Sequence, residues 1–193
     1  YFNEPVGKLD GYSVASRLSY LFWGTLPDEE LLRLARQKKL ARPNVLKHQV
    51  NRMLDDPRSI SFIKNFSDQW LNLKDIDFTI PDQKLYPEYD EILKHSMLGE
   101  THAFLQEMIK NDLSVSNVVD SDFTMLNERL AKHYGIEGVS GTEFRKVELK
   151  PEYRRGGIIT HGSVLKVTAN GTTTSPVIRG VWMLERIMGE KTL

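Results

Sequence analysis

Pro87-Glu88-Tyr89-Asp90-Glu91-Ile92-Leu93-Lys94-His95-Ser96-Met97, continuing through Phe104-Leu105-Gln106-Glu107-Met108 to Asn111, is the stretch on which the fold turns. Leu93, Met97, Phe104, Leu105 and Met108 recur at helical spacing and put one apolar face on a long helix. Pro87 reads as its first residue, where a missing N–H costs nothing and a fixed φ suits the helix. The spacing therefore predicts a central helix over 87–111 around which the rest must pack.

Upstream, the same start signal recurs. Tyr12 to Trp23 carries Val14, Leu18, Leu21 and Phe22 at helical spacing, with Gly24 as a stop. Leu26-Pro27-Asp28-Glu29-Glu30 places proline and three carboxylates at a helix N-terminus, where the macrodipole favours negative charge. Pro43 opens a third helix through Val45, Val50 and Leu54. Asp56-Pro57 opens a fourth, whose Phe62, Phe66 and Trp70 stand at i, i+4 and i+8 and are expected in the core. Residues 75–86 read as an irregular connection.

Downstream, polar residues from Ser114 to Asp122 lead to a short helix, Asn127 to Tyr134, closed by Gly135. A short strand is expected near Val147 to Leu149. Gly156-Gly157 marks a tight turn before the apolar stretch Ile158 to Val167, whose helix or strand character the pattern leaves open. Ser175 and Pro176 then form an N-cap and first residue for a last helix through Val181, Trp182, Leu184 and Ile187. The expected fold is mainly α, a helical bundle over 1–140 with a smaller helical or mixed unit over 141–193 packed against it.

Twenty-six basic residues balance 26 acidic ones in a chain of 193, so no broad field draws it onto nucleic acid. The basic run Lys38, Lys39, Arg42 and Lys47 lacks interleaved aromatics and reads as a solvated face. With no cysteine there is no disulfide, thiolate metal site, cysteine nucleophile or covalent haem attachment within these residues. No apolar run reaches the ~18 residues of a membrane span. The chain opens on Tyr1 without a signal-peptide pattern and reads as part of a longer polypeptide.

Ser16-Arg17-Leu18-Ser19-Tyr20-Leu21-Phe22-Trp23 followed by Leu26-Pro27-Asp28-Glu29-Glu30-Leu31 resembles the opening of a domain of unknown function. That domain occurs in the large cytochrome-c-like multidomain proteins of planctomycetes. Arg52-Met53-Leu54, Asp56-Pro57, Gln69-Trp70-Leu71 and Asn127-Glu128-Arg129-Leu130 to Ile136 continue the likeness. Arg155-Gly156-Gly157 to Ser163 resembles the start of a second such domain, whose tail matches Thr168-Ala169-Asn170-Gly171 through Ser175-Pro176-Val177-Ile178-Arg179-Gly180. The resemblance implies an extracytoplasmic setting, with haem in another domain of the same polypeptide and that c-type cytochrome domain as a partner. It carries over no catalytic residue.

Read from the residues alone, the best candidate site is an anion site of Arg154, Arg155, Gly156, Gly157, Ser175 and Arg179, built on guanidinium groups and the free N–H groups of the last helix. The competing reading has Arg155 or Arg179 bridging parts of the fold through a carboxylate or a helix C-terminus. His161 and Ser163 suggest a polar pocket beside it, although no Gly-x-Ser-x-Gly elbow surrounds Ser163. Glu91 and His95 lie one turn apart and are the weak metal candidates, weighed against a simple ion pair, with His102 about two turns further on. Two functions follow as expectations: an interaction or scaffold module, or a redox-linked or carbohydrate-active enzyme domain around the Gly-rich segment.

Overall fold

The computed structural model describes residue 7 and residues 9–191. Among these residues the chain is mainly α, with eight α-helices and one two-stranded sheet, and it divides into two compact units at Lys64 and Asn65.

The first unit contains α1 (Gly11–Phe22), α2 (Glu29–Arg36) and α3 (Pro43–Asp55). Asp10 and Asp28 cap α1 and α2 by accepting the backbone N–H of Ser13 and Leu31. Pro27 thus precedes the cap of α2, while Pro43 does occupy the first turn of α3. Ala15, Phe22, Trp23, Leu31, Leu34, Leu40 and Met53 form the core. The Trp23 indole N–H donates to the Met53 carbonyl at 3.0 Å, and the Arg58 guanidinium lies 3.6 Å from the ring centroid. Arg52 grips Asp28 with two nitrogens, at 2.7 and 3.2 Å, tying α3 to the start of α2.

The boundary between the units falls inside α4 (Ile60–Trp70). The aromatic stripe is corrected at Phe66, which is 45 % exposed; Phe62 packs against the first unit's core and Trp70 is half-buried, while the fully buried line runs through Ile63, Ser67 and Leu71, about 100° further round the helix than Phe66.

The second unit is organised by α5 (Glu91–Lys110). This helix starts four residues later than Pro87, because Asp90 is extended and its carboxylate accepts the Leu93 N–H at 2.6 Å. Packed against α5 are β1 (Phe123–Leu126), α6 (Glu128–Tyr134) and α7 (Gly162–Val167). β1 pairs antiparallel with β2 (Arg145–Glu148), in register Phe123 to Glu148 and Leu126 to Arg145. Asn127 caps α6, and Gly135 ends it at φ +69°. The ambiguous stretch 158–167 resolves into a 3-10 turn, Ile158–Thr160, followed by α7.

Ser175 and Pro176 start α8 (Pro176–Arg186), as the pattern predicted. The Trp182 indole N–H donates to the Leu71 carbonyl and that of Trp70 donates to the Arg186 carbonyl, so two indoles fasten α8 to the end of α4. Residues 141–191 lie in the same compact unit as α5, through the packing of α5 with α6 and α7.

Candidate functional site

Glu100 lies on the apolar face of α5, between Met97 and Phe104, and is 1 % exposed. Its carboxylate accepts from the Thr124 hydroxyl at 2.7 Å, the Tyr134 phenol at 2.6 Å and the Gly162 N–H at 3.2 Å. One side chain thus joins α5 to β1, α6 and α7. Burial, with the Glu100 carboxylate beside it, pushes the Tyr134 phenol well above its ordinary value and keeps it a donor. The next residue, Thr101, is hydrogen-bonded to His161 Nδ1 at 3.0 Å and to Ser163 Oγ at 2.7 Å.

His161 and Ser163 are thereby placed in the interior rather than in a pocket with the arginines. His161 is 2 % exposed, meets Phe104 edge to face at 5.0 Å, and its Nε2 has no hydrogen-bond partner among the described residues. Burial lowers its affinity for a proton, opposed by Glu100 and assisted by Arg155. His133 on α6 is lowered for the same first reason. Below the ordinary histidine value of 6.5 the unfolded chain therefore binds more protons than the folded one. Stability is expected to be complete above that value and to fall as the pH drops through it, until the folded-state values are passed. Urea midpoints at about pH 7.5 and pH 5.5 check this, and His161→Gln should reduce the difference.

Arg154, Arg155 and Arg179 do come together. With Tyr153, Ile159, Thr160 and Leu165 they line a cleft of about 300 Å³ that has no carboxylate in its wall. Arg154 stands in the left-handed region at φ 50° and is exposed. Arg155 serves structure as well: its Nη1 donates to the Thr160 carbonyl at 2.7 Å, and its guanidinium lies 3.3 Å from the Tyr134 ring centroid. Its partners are thus a local carbonyl and an aromatic face, not a bridging carboxylate. Arg155 also borders a neighbouring hollow that contains Asp120 and Asp122. Arg179 reaches two hydroxyls, Thr168 Oγ1 at 3.3 Å and Thr174 Oγ1 at 2.5 Å, and makes no ion pair among the described residues.

The remaining members of the expected anion site have other tasks. Gly156 N–H donates to Thr160 Oγ1, and Gly157 passes so close to Val119 that only a residue without Cβ fits. Ser175 is the N-cap of α8 and takes the Ile178 N–H. The Thr-rich tail builds a turn instead: Asn170 Oδ1 accepts the N–H groups of Thr172 and Thr173, and the Gly171 carbonyl accepts the Asp82 N–H.

That turn forms one wall of an open cleft of about 340 Å³, bounded also by Pro81, Tyr86, Glu88, Tyr89, His133 and α7. Pro81, Met97, Leu165 and Ala169 give it an apolar lining, and Tyr89, Lys166 and Arg179 supply polar groups. Lys166 Nζ is bound to the carbonyls of Ile76 and Thr79 and to the Thr79 hydroxyl. Burial lowers its pKa, opposed by the charge of Asp77.

The metal candidates find other partners. His95 Nδ1 meets the backbone carbonyl of Glu91 at 2.7 Å, while the Glu91 carboxylate pairs with Lys94. His102 Nε2 meets Asp68 Oδ1 at 2.8 Å. Among the described residues no group of three or more histidines and carboxylates could hold a metal ion, and no helix is long and apolar enough to cross a membrane.

Glu100, Thr101, Tyr89 and Lys166 escaped the reading of the sequence. Glu100 carried a signal, since a carboxylate inside the apolar stripe of α5 demands buried donors. Lys166 carried none, because its partners Ile76 and Thr79 lie far away in the chain, and Tyr89 carried none, because its hydroxyl has no partner among the described residues.

Two family comparisons cover most of these elements. The family PSD4, described as a protein of unknown function (DUF1592), matches residues 9–136, and PSCyt3, described as a protein of unknown function (DUF1588), matches residues 155–193. No curated protein and no solved structure matches the chain. The two matches adjoin in the order that Ser16 to Leu31 and Arg155 to Gly180 suggested, and the chain belongs to the DUF1592 family, joined to a DUF1588 segment, of the planctomycete cytochrome-c-like multidomain proteins.

Proposed function

We propose that the chain is an interaction module of a larger extracytoplasmic protein. In this reading its arginine cleft receives an acidic face of a neighbouring cytochrome-c-like domain, which carries the haem. The observation that supports it is the convergence of Arg154, Arg155 and Arg179 on one cleft without a carboxylate in the wall. Three guanidinium groups held this way attract carboxylates and hold them by charge-assisted hydrogen bonds. The rival enzyme reading needs His161 and Ser163 beside these arginines, and both lie in the interior with Thr101.

A hexaglutamate peptide, titrated calorimetrically into the purified chain, stands in for the acidic face. Binding should weaken steeply with salt. Arg154→Ala and Arg179→Ala should each weaken it about tenfold, as expected for a lost charge-assisted contact. Arg155→Ala should also lower the melting temperature, since it removes the Tyr134 stack and the Thr160 bond. Salt-insensitive binding, or binding untouched in the Arg154→Ala/Arg179→Ala double variant, would reject the reading.

A further inference from the structure

The arginine cleft and the open cleft between Pro81, α7 and the Thr-rich turn are neighbours, because Leu165 and Arg179 border both. The second cleft has a volume of about 340 Å³ and an apolar wall of Pro81, Met97, Leu165 and Ala169. Two glycines set its shape. A Cβ on Gly162 would fall 2.7 Å from Met97 Cγ and 2.8 Å from the Tyr134 phenol oxygen, and one on Gly171 would fall 2.6 Å from the Ile80 carbonyl oxygen.

The polar groups around this second cleft are already engaged or turned away. The Lys166 ammonium meets the carbonyls of Ile76 and Thr79 and the Thr79 hydroxyl, which occupy its three hydrogens. The Tyr86 hydroxyl donates to the Thr172 carbonyl at 3.1 Å, and the Tyr89 hydroxyl is buried and does not face the cleft. His133 and Glu88 lie 3.8 Å from each other. An occupant therefore meets apolar surface, with Glu88 in the wall to repel a carboxylate. Arg179 is the exception, and it stands on the border with the arginine cleft. It donates to two hydroxyls, which leaves guanidinium donors over.

We infer that the two clefts form one docking surface, which fits an acidic segment carrying a bulky apolar side chain next to its carboxylates. The inference rests on the reading of the arginine cleft given above and adds the second half of the partner's chemistry. The carboxylates lie with Arg154, Arg155 and Arg179, and the apolar side chain passes over Leu165 to cover Met97 and Ala169. Charge complementarity puts the carboxylates in the cleft whose wall has no acid. Continuity through Leu165 and Arg179 brings the second cleft within reach of the next side chains of the same segment, since an extended chain advances about 3.3–3.6 Å per residue. A purely acidic segment leaves the apolar wall in water, and a purely apolar one leaves the guanidinium groups unanswered.

The probes are the capped peptides Glu-Glu-Glu-Phe-Glu-Glu and Glu-Glu-Glu-Ala-Glu-Glu, titrated calorimetrically into the purified chain beside hexaglutamate. The phenylalanine peptide should bind about tenfold tighter than the alanine peptide, the low end of what covering an aromatic side chain contributes. That ratio should persist as salt rises while both affinities fall, because only the carboxylate contacts are screened. Arg154→Ala should weaken both peptides alike and keep the ratio. Ala169→Phe should fill the second cleft and remove the advantage while hexaglutamate binds as before, and a retained circular dichroism spectrum shows that the fold survives. Should Ala169→Phe unfold the chain, a nuclear Overhauser effect between the peptide ring and the Met97 methyl decides in its place. Equal affinity of the two peptides while hexaglutamate binds, an advantage that survives Ala169→Phe, or a ring without contact to Met97 would overturn this inference and leave the reading of the arginine cleft standing. Absent or salt-insensitive binding of hexaglutamate would overturn both.

Discussion

Glu100→Ala is expected to destabilise the unit that contains α5 by about 3 kcal/mol, the sum of two hydroxyl donors left without their acceptor and a cavity. The Thr124 hydroxyl, the Tyr134 phenol and the Gly162 N–H all converge on this one carboxylate, which is 1 % exposed. Truncation leaves the Thr124 and Tyr134 hydroxyls facing a hole without their acceptor, while the Gly162 N–H keeps the Tyr134 phenol oxygen at 2.7 Å. Glu100→Gln should cost less, about 1–2 kcal/mol, because the amide keeps one acceptor oxygen in place. Urea unfolding at neutral pH measures both. A loss under about 1 kcal/mol for Glu100→Ala would show that the network contributes little beyond what water supplies to the unfolded chain.

Gly157→Ala is the second large effect, expected at about 3 kcal/mol or more from backbone strain and a clash that no rotamer relieves. Gly157 has φ 67° and ψ 174°, a region open essentially only to glycine. A Cβ there would also lie 2.5 Å from the Val119 carbonyl oxygen and 2.7 Å from that of Val118. The turn must then move away from the segment after α5, taking with it Arg155, Thr160 and the entry to α7. Gly180→Ala gives the contrast. Gly180 lies inside α8, and a Cβ there meets nothing within 4 Å, so the same substitution should raise stability by about 0.5–1 kcal/mol. Equal effects at the two positions would mean that the close approach of residues 157 and 119 does not limit the fold.

The predicted site residues divide along a physical line. Arg154 and Arg155 meet Arg179 because the 3-10 turn and α7 carry the chain back to the start of α8, an arrangement set by packing against α5. His161 and Ser163 turn inward to Thr101, and nothing within a few residues of either announces that. Gly156-Gly157 was legible as a tight turn, but its reason, the approach to Val119, was not.

Helix identity and most helix starts were settled within the span of a single turn. Asp28, Asn127 and Ser175 accept an N–H three residues on, Pro43 and Pro176 need no partner of their own, and Gly135 takes the left-handed conformation that ends α6. Such contacts are encoded by neighbours, so the mainly helical character and the family likeness could be read directly. Which face of α4 is buried, where the chain divides into units, how β1 finds β2, and which polar groups line a cavity depended on surfaces brought together from distant parts of the chain. Burial is a property of the pair of surfaces, not of either residue alone, and Phe66 exposed beside buried Ser67 is the plainest case.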